Sequence, residues 1–310
     1  MKRFKSILYV MEENGDQQSA IARTASLAEK NQAKLTVIDV MRPLMGDYMK
    51  EIIQMHNEFL TSLIKPFSKR LEIQHKVIMG VAFLEVIREV LRNKHDLVIK
   101  PAENPDFLKR LFGSTDIHLL RKCPCPVWIM KLPEKSNYGC IMAAIDFKPL
   151  EVSEVEESLN GEILDLAASM ALTDSASLHV VHSWETFAGK YIRSRGDKTH
   201  EDMAIHVEQE RSLQQKGLNM LMEKLNKRIG DDVYKKISPS IHLPQGDAQK
   251  LIAILAERLR ADLVVMGTVA RTGIPGMIIG NTAEAILDQI ECSVLAVKPP
   301  GFITPVKLDE

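Results

Sequence analysis

The sequence predicts an α/β chain made of two tandem domains, each a five-stranded parallel sheet with helices on both faces. Three observations predict it: short continuous apolar runs, amphipathic segments of helical spacing between them, and recurrence of the whole pattern after about 165 residues. Apolar runs without polar alternation suit strands buried on both faces, as in a parallel sheet. Parallel neighbours need crossover connections, and helices supply them with right-handed topology.

The runs of the first half cover residues 7–10, 35–40, 77–79, 97–99 and 127–130. Those of the second half cover 141–145, 178–181, 237–243 (the weakest), 263–266 and 294–297. Between them, Phe83, Ile87, Val90 and Leu91 recur at helical spacing, as do Leu251, Ile252, Leu255 and Leu259. Leu218, Leu221, Met222, Leu225 and Ile229 mark a longer helix. In such sheets ligands bind beyond the carboxyl ends of the strands, where the strand order reverses.

The repeat shows in matched spacings. Gly80 stands 16 residues before Asp96, and Gly246 stands 16 before Asp262. Gly113 lies 14 residues before Val127, and Gly280 lies 14 before Val294. Thr115 pairs with Thr282, Cys125 with Cys292, Lys131 with Lys298, and Leu35 with Leu178. The period is too long for a solenoid and reads as domain duplication. The polar stretch at residues 133–137 is the expected seam, giving domains 1–135 and 136–310.

At 310 residues the chain exceeds one ordinary small domain, and each half is long enough for its own core. Apolar residues make up 45% and charged residues 26%, which is globular composition. A net charge of −1 gives no bias toward polyanions, so no nucleic-acid partner is expected. Residues 1–135 nevertheless carry 22 Lys and Arg against 16 Asp and Glu, while residues 136–310 carry 18 against 25. Oppositely charged halves could attract each other within a chain or across a dimer. The apolar run near the N-terminus is too short for a signal segment, and no run approaches the roughly 18 residues that span a membrane. Four cysteines make no disulfide framework. A cytoplasmic protein without a membrane partner is the expectation.

One segment of the second half carries chemistry. Gly267-Thr268-Val269-Ala270-Arg271-Thr272-Gly273-Ile274 leads from a strand into a glycine-rich loop, and Gly280-Asn281-Thr282-Ala283-Glu284 opens a helix. Gly267 frees the backbone at the strand end. Asn281 is the expected N-cap, with Glu284 three residues on closing a capping box. Exposed N–H groups at a helix start suit an anion such as phosphate.

This segment resembles the nucleotide loop of the universal stress protein family, whose pattern is Gly, two residues, Gly, nine residues, Gly, then Ser or Thr. Its wording, with Leu119-Leu120-Arg121-Lys122-Cys123-Pro124 in the first half, is similar to the tandem E-type members. The resemblance covers nearly the whole chain. It implies two Rossmann-like domains of the adenine nucleotide alpha hydrolase-like kind, and a stress-response regulatory or sensing role. It also implies a site for ATP or another adenine nucleotide in the second half. Asp146 matches the strand-one Asp that contacts adenine, and Val180 after His179 matches a pocket-lining Val. Met266, Gly267 and Gly280 match the loop. Two positions depart: Ala270 replaces the middle Gly, and Asn281 replaces the Ser or Thr, with Thr282 directly after it. If position 270 needs positive φ, Ala costs roughly 1–2 kcal/mol. An Asn amide can still donate to a phosphate oxygen.

The first half departs further. Pro101 stands in the place of Gly267, Asn104 in that of Ala270, and Glu12 in that of Asp146. Gly113-Ser114-Thr115 survives, while Lys100, Glu103 and Asp106 crowd the loop with charge. Proline fixes φ and removes an N–H, so this half reads as a structural or partner-binding lobe.

Other constellations are weaker. Cys123 and Cys125, two apart, lack further thiol ligands for zinc and read as packing residues. His179 and His182, three apart on a strand, point to opposite faces. Met41, Met45, Met49 and Met55 could fill gaps, form a lid or line an apolar pocket. Arg193 and Arg195 sit in a polar stretch that could cover the site.

No catalytic residue and no metal ligand is assigned. Enzymes of the broader nucleotide-binding class carry a Ser-Gly-Gly-x-Asp-Ser loop or a His-x-Gly-His signature, and neither occurs here. A slow ATPase and a carrier of an apolar ligand are the competing readings. The tandem resembles a homodimer of single-domain relatives, so an intramolecular pseudo-dimer is expected, with an unspecified protein partner and further pairing open.

Overall fold

The computed structural model describes residues 3–13, 16–43, 48–103, 115–149, 153–186, 200–268 and 279–308. In the first half, β1 (Ser6–Val10), α1 (Gln17–Asn31), β2 (Lys34–Met41), α2 (Met49–Ile64), β3 (Ile73–Met79), α3 (Ala82–Asn93), β4 (Leu97–Pro101), α4 (Thr115–Lys122) and β5 (Val127–Met130) follow one another. The second half runs β6 (Cys140–Ala144), α5 (Glu154–Asp174), β7 (Ser177–Val181), α6 (His200–Ile229), α7 (Asp231–Ile237), β8 (Ser240–His242), α8 (Ala248–Leu259), β9 (Leu263–Gly267), α9 (Asn281–Leu287) and β10 (Ser293–Val297). The predicted strand at 237–243 is shorter than its apolar run, because Ile237 ends α7 and packs into the core.

The ten strands of the described residues form one sheet in the order β3-β2-β1-β4-β5-β10-β9-β6-β7-β8. Every pairing within a half is parallel. The halves meet through β5 and β10, which pair antiparallel with Leu295 opposite Trp128. Each half is thus a five-stranded parallel sheet, and the two share an edge head to head. Joining the edges satisfies backbone groups that two separate sheets would leave open.

Helices cover both faces, and each face has a core drawn from both halves. One core takes residues from α1, α2, α5, α6 and α7, among them Ile21, Leu60, Leu164, Leu218 and Ile237. The other takes residues from α3, α4, α8 and α9, among them Val86, Leu119, Leu255 and Ile286. Gly80 and Gly246 occupy equivalent turns after β3 and β8 at φ +155° and +139°, a backbone region that side chains disfavour.

Charge also joins the halves. Among the described residues, every ion pair across the seam takes its cation from the first half and its acid from the second. Arg3 meets Glu162 and Asp165, Arg23 and Lys30 meet Asp174, Arg121 meets Glu284, Lys131 meets Glu291, and Lys135 meets Asp262. The Arg23–Asp174 pair is fully buried. Arg23 also donates to Ser136 O at 3.1 Å and lies over the Trp128 and Tyr138 rings. Tyr138 N donates to Asp174 Oδ2 at 3.1 Å, so most of the pair's donors and acceptors are occupied, Arg23 Nε being the buried exception.

Candidate functional site

Between β6 and β9 the strand order of the second half reverses, and a cavity of ≈ 410 Å³ opens beyond their carboxyl ends. That is the size of a small-molecule pocket, in the crevice where doubly wound sheets bind ligands. Asp146, Asn160, Met266, Gly267, Gly280 and Thr282 line it.

Each wall has a local cause. Beyond β6, Ile145 N–H donates to Val181 O at 3.0 Å, which extends the strand direction to Asp146. Asn160, buried on α5, clamps the Asp146 peptide. Its Oδ1 accepts from Asp146 N at 3.2 Å, and its Nδ2 donates to Asp146 O at 2.8 Å. The Asp146 residue stands exposed at the lip. Gly267 ends β9, and a Cβ there would come within 3.1 Å of Leu159 Cδ2, another lining residue. Glycine therefore keeps this wall open.

Gly280 N–H donates to Thr268 O at 3.1 Å, which brings the two glycines to one cavity. Gly280 itself is the N-cap of α9, with φ −61° and ψ 137°, and no side chain caps the helix. The expected Asn281 cap and its capping box are therefore corrected. Asn281 is already helical, and the Glu284 carboxylate is 3.3 Å from Arg121 of the first half instead of folding back. Asn281 and Thr282 are exposed at the cavity, at the helix end whose first N–H groups lack intrahelical partners.

Behind this wall sits Lys298, nearly fully buried. Its Nζ donates to Leu120 O and, at 2.5 Å, to Thr268 Oγ1, while Thr268 Oγ1 donates to Leu120 O at 3.1 Å. Burial pushes the Lys298 ammonium down to about 7. The root of the loop is thus anchored on the first half.

The same strand ends look different in the first half. Lys100 Nζ lies 2.5 Å from Glu12 Oε2 and 2.8 Å from Asp116 Oδ1, all three side chains being largely buried. Burial pushes the Glu12 and Asp116 carboxyls up, with Lys100 opposing the rise. Burial also works against the Lys100 charge, but the two carboxylates outweigh it and hold the ammonium above its usual range. Asp116 Oδ2 accepts from Glu103 N at 2.9 Å, and Glu103 in turn accepts from Thr115 N, the first residue of α4, at 3.0 and 3.2 Å. A carboxylate of the chain itself sits where an anion would bind a helix start.

Of the residues singled out from sequence, Asp146, Met266, Gly267, Gly280, Asn281 and Thr282 come together. Val180 is fully buried within β7, level with Ala143, and does not line the cavity; Ser183 supplies the β7 side. Ala270, Arg193, Arg195 and Met45 lie outside the described residues. Met41 is buried and Met55 exposed. Cys123 and Cys125 are buried free thiols with sulfurs 3.6 Å apart. His179 stacks on His242, and His182 stacks on Phe147. Among the described residues no group of three His, Cys, Asp or Glu could hold a metal, and no helix is long and apolar enough to cross a membrane. Sequence reasoning missed Asn160, Ser183 and Lys298. Only Asn160 left a signal, a polar residue between Leu159 and Ile163 on an otherwise apolar helix face.

Comparison with known proteins bears on the family and the fold. The model of the universal stress protein family matches residues 3–131 and again 141–298. Universal stress protein E of Escherichia coli K12 is 29% identical over 327 aligned positions, covering 100% of this chain and 99% of the relative. A crystal structure of a functionally unknown protein from Pseudomonas aeruginosa PAO1 superimposes with TM-score 0.69 at 26% identity, covering 96% of this chain and 94% of that one. A universal stress protein of Archaeoglobus fulgidus shares the fold with TM-score 0.63 at 17% identity, covering 95% and 96%.

Proposed function

The chain belongs to the universal stress protein family, and on that premise we propose that its second half binds ATP or a related adenine nucleotide, with binding rather than turnover as the output. The observation that carries this reading is the convergence of Asp146, Gly267, Gly280, Asn281 and Thr282 on one cavity at the strand-order reversal. In this reading the Asp146 carboxylate accepts from the adenine amino group, and the apolar wall of Ile145, Ile163 and Met266 takes the base. Gly267 and Gly280 let phosphates approach the backbone. The N–H groups at the start of α9, the Asn281 amide and the Thr282 hydroxyl donate to phosphate oxygens.

Among the described residues the cavity is lined by two carboxylates, Asp146, assigned here to recognition, and Glu156 in the first turn of α5. The site is read here as one for sensing, with Glu156 the candidate base if the chain is instead an ATPase. The anchor of the loop on Leu120 gives a bound nucleotide a contact with the first half through Thr268 and Lys298.

Titration calorimetry with ATP, ADP and AMP tests the reading. Saturable heat with the natural chain, lost in Gly280→Arg while the circular dichroism spectrum is retained, supports it. Absence of heat with all three nucleotides overturns it and favours an apolar ligand. Multiple turnovers that vanish on changing Asp146 or Thr282 favour the ATPase. Native mass spectrometry of freshly isolated protein would identify any ligand carried along.

A further inference from the structure

The amino end of the first-half sheet holds a constellation that nucleotide binding does not use. Ser6 opens β1, and His95 lies in the turn that enters β4. Ser6 Oγ is 2.8 Å from His95 Nδ1. The other ring nitrogen, Nε2, faces Glu89 Oε1 at 3.6 Å, and both side chains are 2% exposed. Lys76 Nζ at 2.5 Å and Asn93 Nδ2 at 2.6 Å hold the same Glu89 oxygen. A polar cavity of ≈ 270 Å³ opens onto Ser6, Lys76, Glu89, Asn93 and His95.

The arrangement is rigid where chemistry would need it. The Asp96 carboxylate accepts from Lys5 N at 2.7 Å and Ser6 N at 3.1 Å, and Asp96 N donates to Ser6 O at 2.9 Å. Ser6 and the residue after His95 are thereby locked together. Burial opposes ionisation of Glu89, but the nearby His95 ring and the Lys76 ammonium outweigh it and hold the carboxyl below its ordinary range. The tautomer with its proton on Nε2 aims that N–H at Glu89, where it has no hydrogen-bond partner at present, and turns the Nδ1 lone pair toward Ser6. Hydroxyl, imidazole and carboxylate then stand in the order used by serine hydrolases, with the two ring nitrogens exchanged. The gap of 3.6 Å to Glu89 is of the length such contacts show before substrate tightens them.

We propose that Ser6, His95 and Glu89 form a nucleophilic site for small polar acyl esters, with Ser6 as the residue acylated. His95 Nδ1 takes the Ser6 proton as Oγ bonds to the ester carbonyl carbon. The same proton passes to the leaving alkoxide as its C–O bond breaks, which releases an alcohol and leaves acyl-Ser6. Water repeats the sequence: His95 takes its proton, the hydroxyl bonds to the acyl carbon, and Ser6 Oγ departs with the proton. Glu89 is a positioning residue that acts through His95. The Lys76 ammonium, with donors beyond the one given to Glu89, serves the carbonyl oxygen as negative charge develops there.

Labelling of the full-length folded chain with a fluorophosphonate probe, followed by peptide mass mapping, tests the site. Ser6 displaces fluoride in that reaction, and the expected result is one probe per chain on Ser6. With p-nitrophenyl acetate, a burst of one equivalent of nitrophenol is expected. Ser6→Ala removes both signals, and His95→Gln slows both by about 100-fold or more. Glu89→Gln slows labelling but leaves its final stoichiometry at one. Absence of probe on Ser6 of the natural chain overturns the proposal, as does labelling that His95→Gln leaves unchanged or that persists equally in urea. Mapping on the natural chain decides the matter even if a variant fails to fold, and its failure leaves the nucleotide site untouched.

Discussion

Lys100 and Met266 occupy the last-but-one positions of β4 and β9, equivalent strands in the two halves, and meet opposite surroundings. Lys100 is buried between Glu12 and Asp116, while Met266 lines a cavity with Asp146 at its lip. Glu103 covers the start of α4 with a carboxylate, and nothing but a glycine caps α9. One half has turned its strand ends into internal structure, and the other keeps donors facing a cavity. A duplicated fold can thus divide labour through a few side chains: a lysine where its copy has a methionine fills the strand ends and is buried only with carboxylates beside it.

Three experiments would break or sharpen this comparison. The largest effect is expected for Lys100→Met, which copies the second half into the first. It leaves Glu12 and Asp116 buried without their cation, so urea unfolding at pH 7 should show a loss of about 3–5 kcal/mol. A neutral outcome would mean that the triad is not structural.

Next comes Lys298→Met, because Lys298 and its copy Lys131 also diverge. Lys131 is partly exposed and donates to Glu291 O at 2.6 Å, whereas Lys298 is buried with its ammonium pushed from 10.5 down to about 7. Between pH 7 and 10.5 the unfolded lysine binds a proton that the folded one has released, so the natural chain gains stability as pH rises. The Met variant should therefore be the more stable at pH 7 and below, by on the order of 2–4 kcal/mol. That lead should shrink as pH approaches 10.5. Unfolding free energies measured from pH 6 to about 10 check the slope; a constant difference would contradict it.

The smallest effect is expected for Glu103→Gln. Loss of the charged acceptor on Thr115 N–H should cost about 1 kcal/mol, read from the thermal midpoint. Nucleotide binding gained by the first half after this change alone would break the comparison, since Lys100 still fills the pocket.

Much of this organisation is legible locally. The apolar runs located the ten described strands; the one at 237–243 was drawn too long, because Ile237 serves a helix that ends where the strand was expected, and the one at 77–79 too short, since β3 begins at Ile73. Gly267, Gly280 and Asp146 stood out because backbone freedom and a carboxylate at a strand end are local properties. The Asn281 cap was misread for a nonlocal reason: Glu284 has a partner in Arg121, 163 residues away in sequence. Val180 was assigned by resemblance alone; it is fully buried within β7, and Ser183 supplies that side of the cavity. Asn160 acts on Asp146 only because α5 lies across β6.

The sequence by itself determined the strands, the helices, the duplication and the charge imbalance between halves, since periodicity and composition are written in neighbouring residues. Only the tertiary structure decided that β5 and β10 weld the two sheets into one, that the basic half pairs with the acidic half within the same chain, and that one pocket is filled while the other opens. Those outcomes depend on which buried charges meet across scores of residues, and a lysine among two carboxylates cannot be told from a lysine in water until the chain has folded around it.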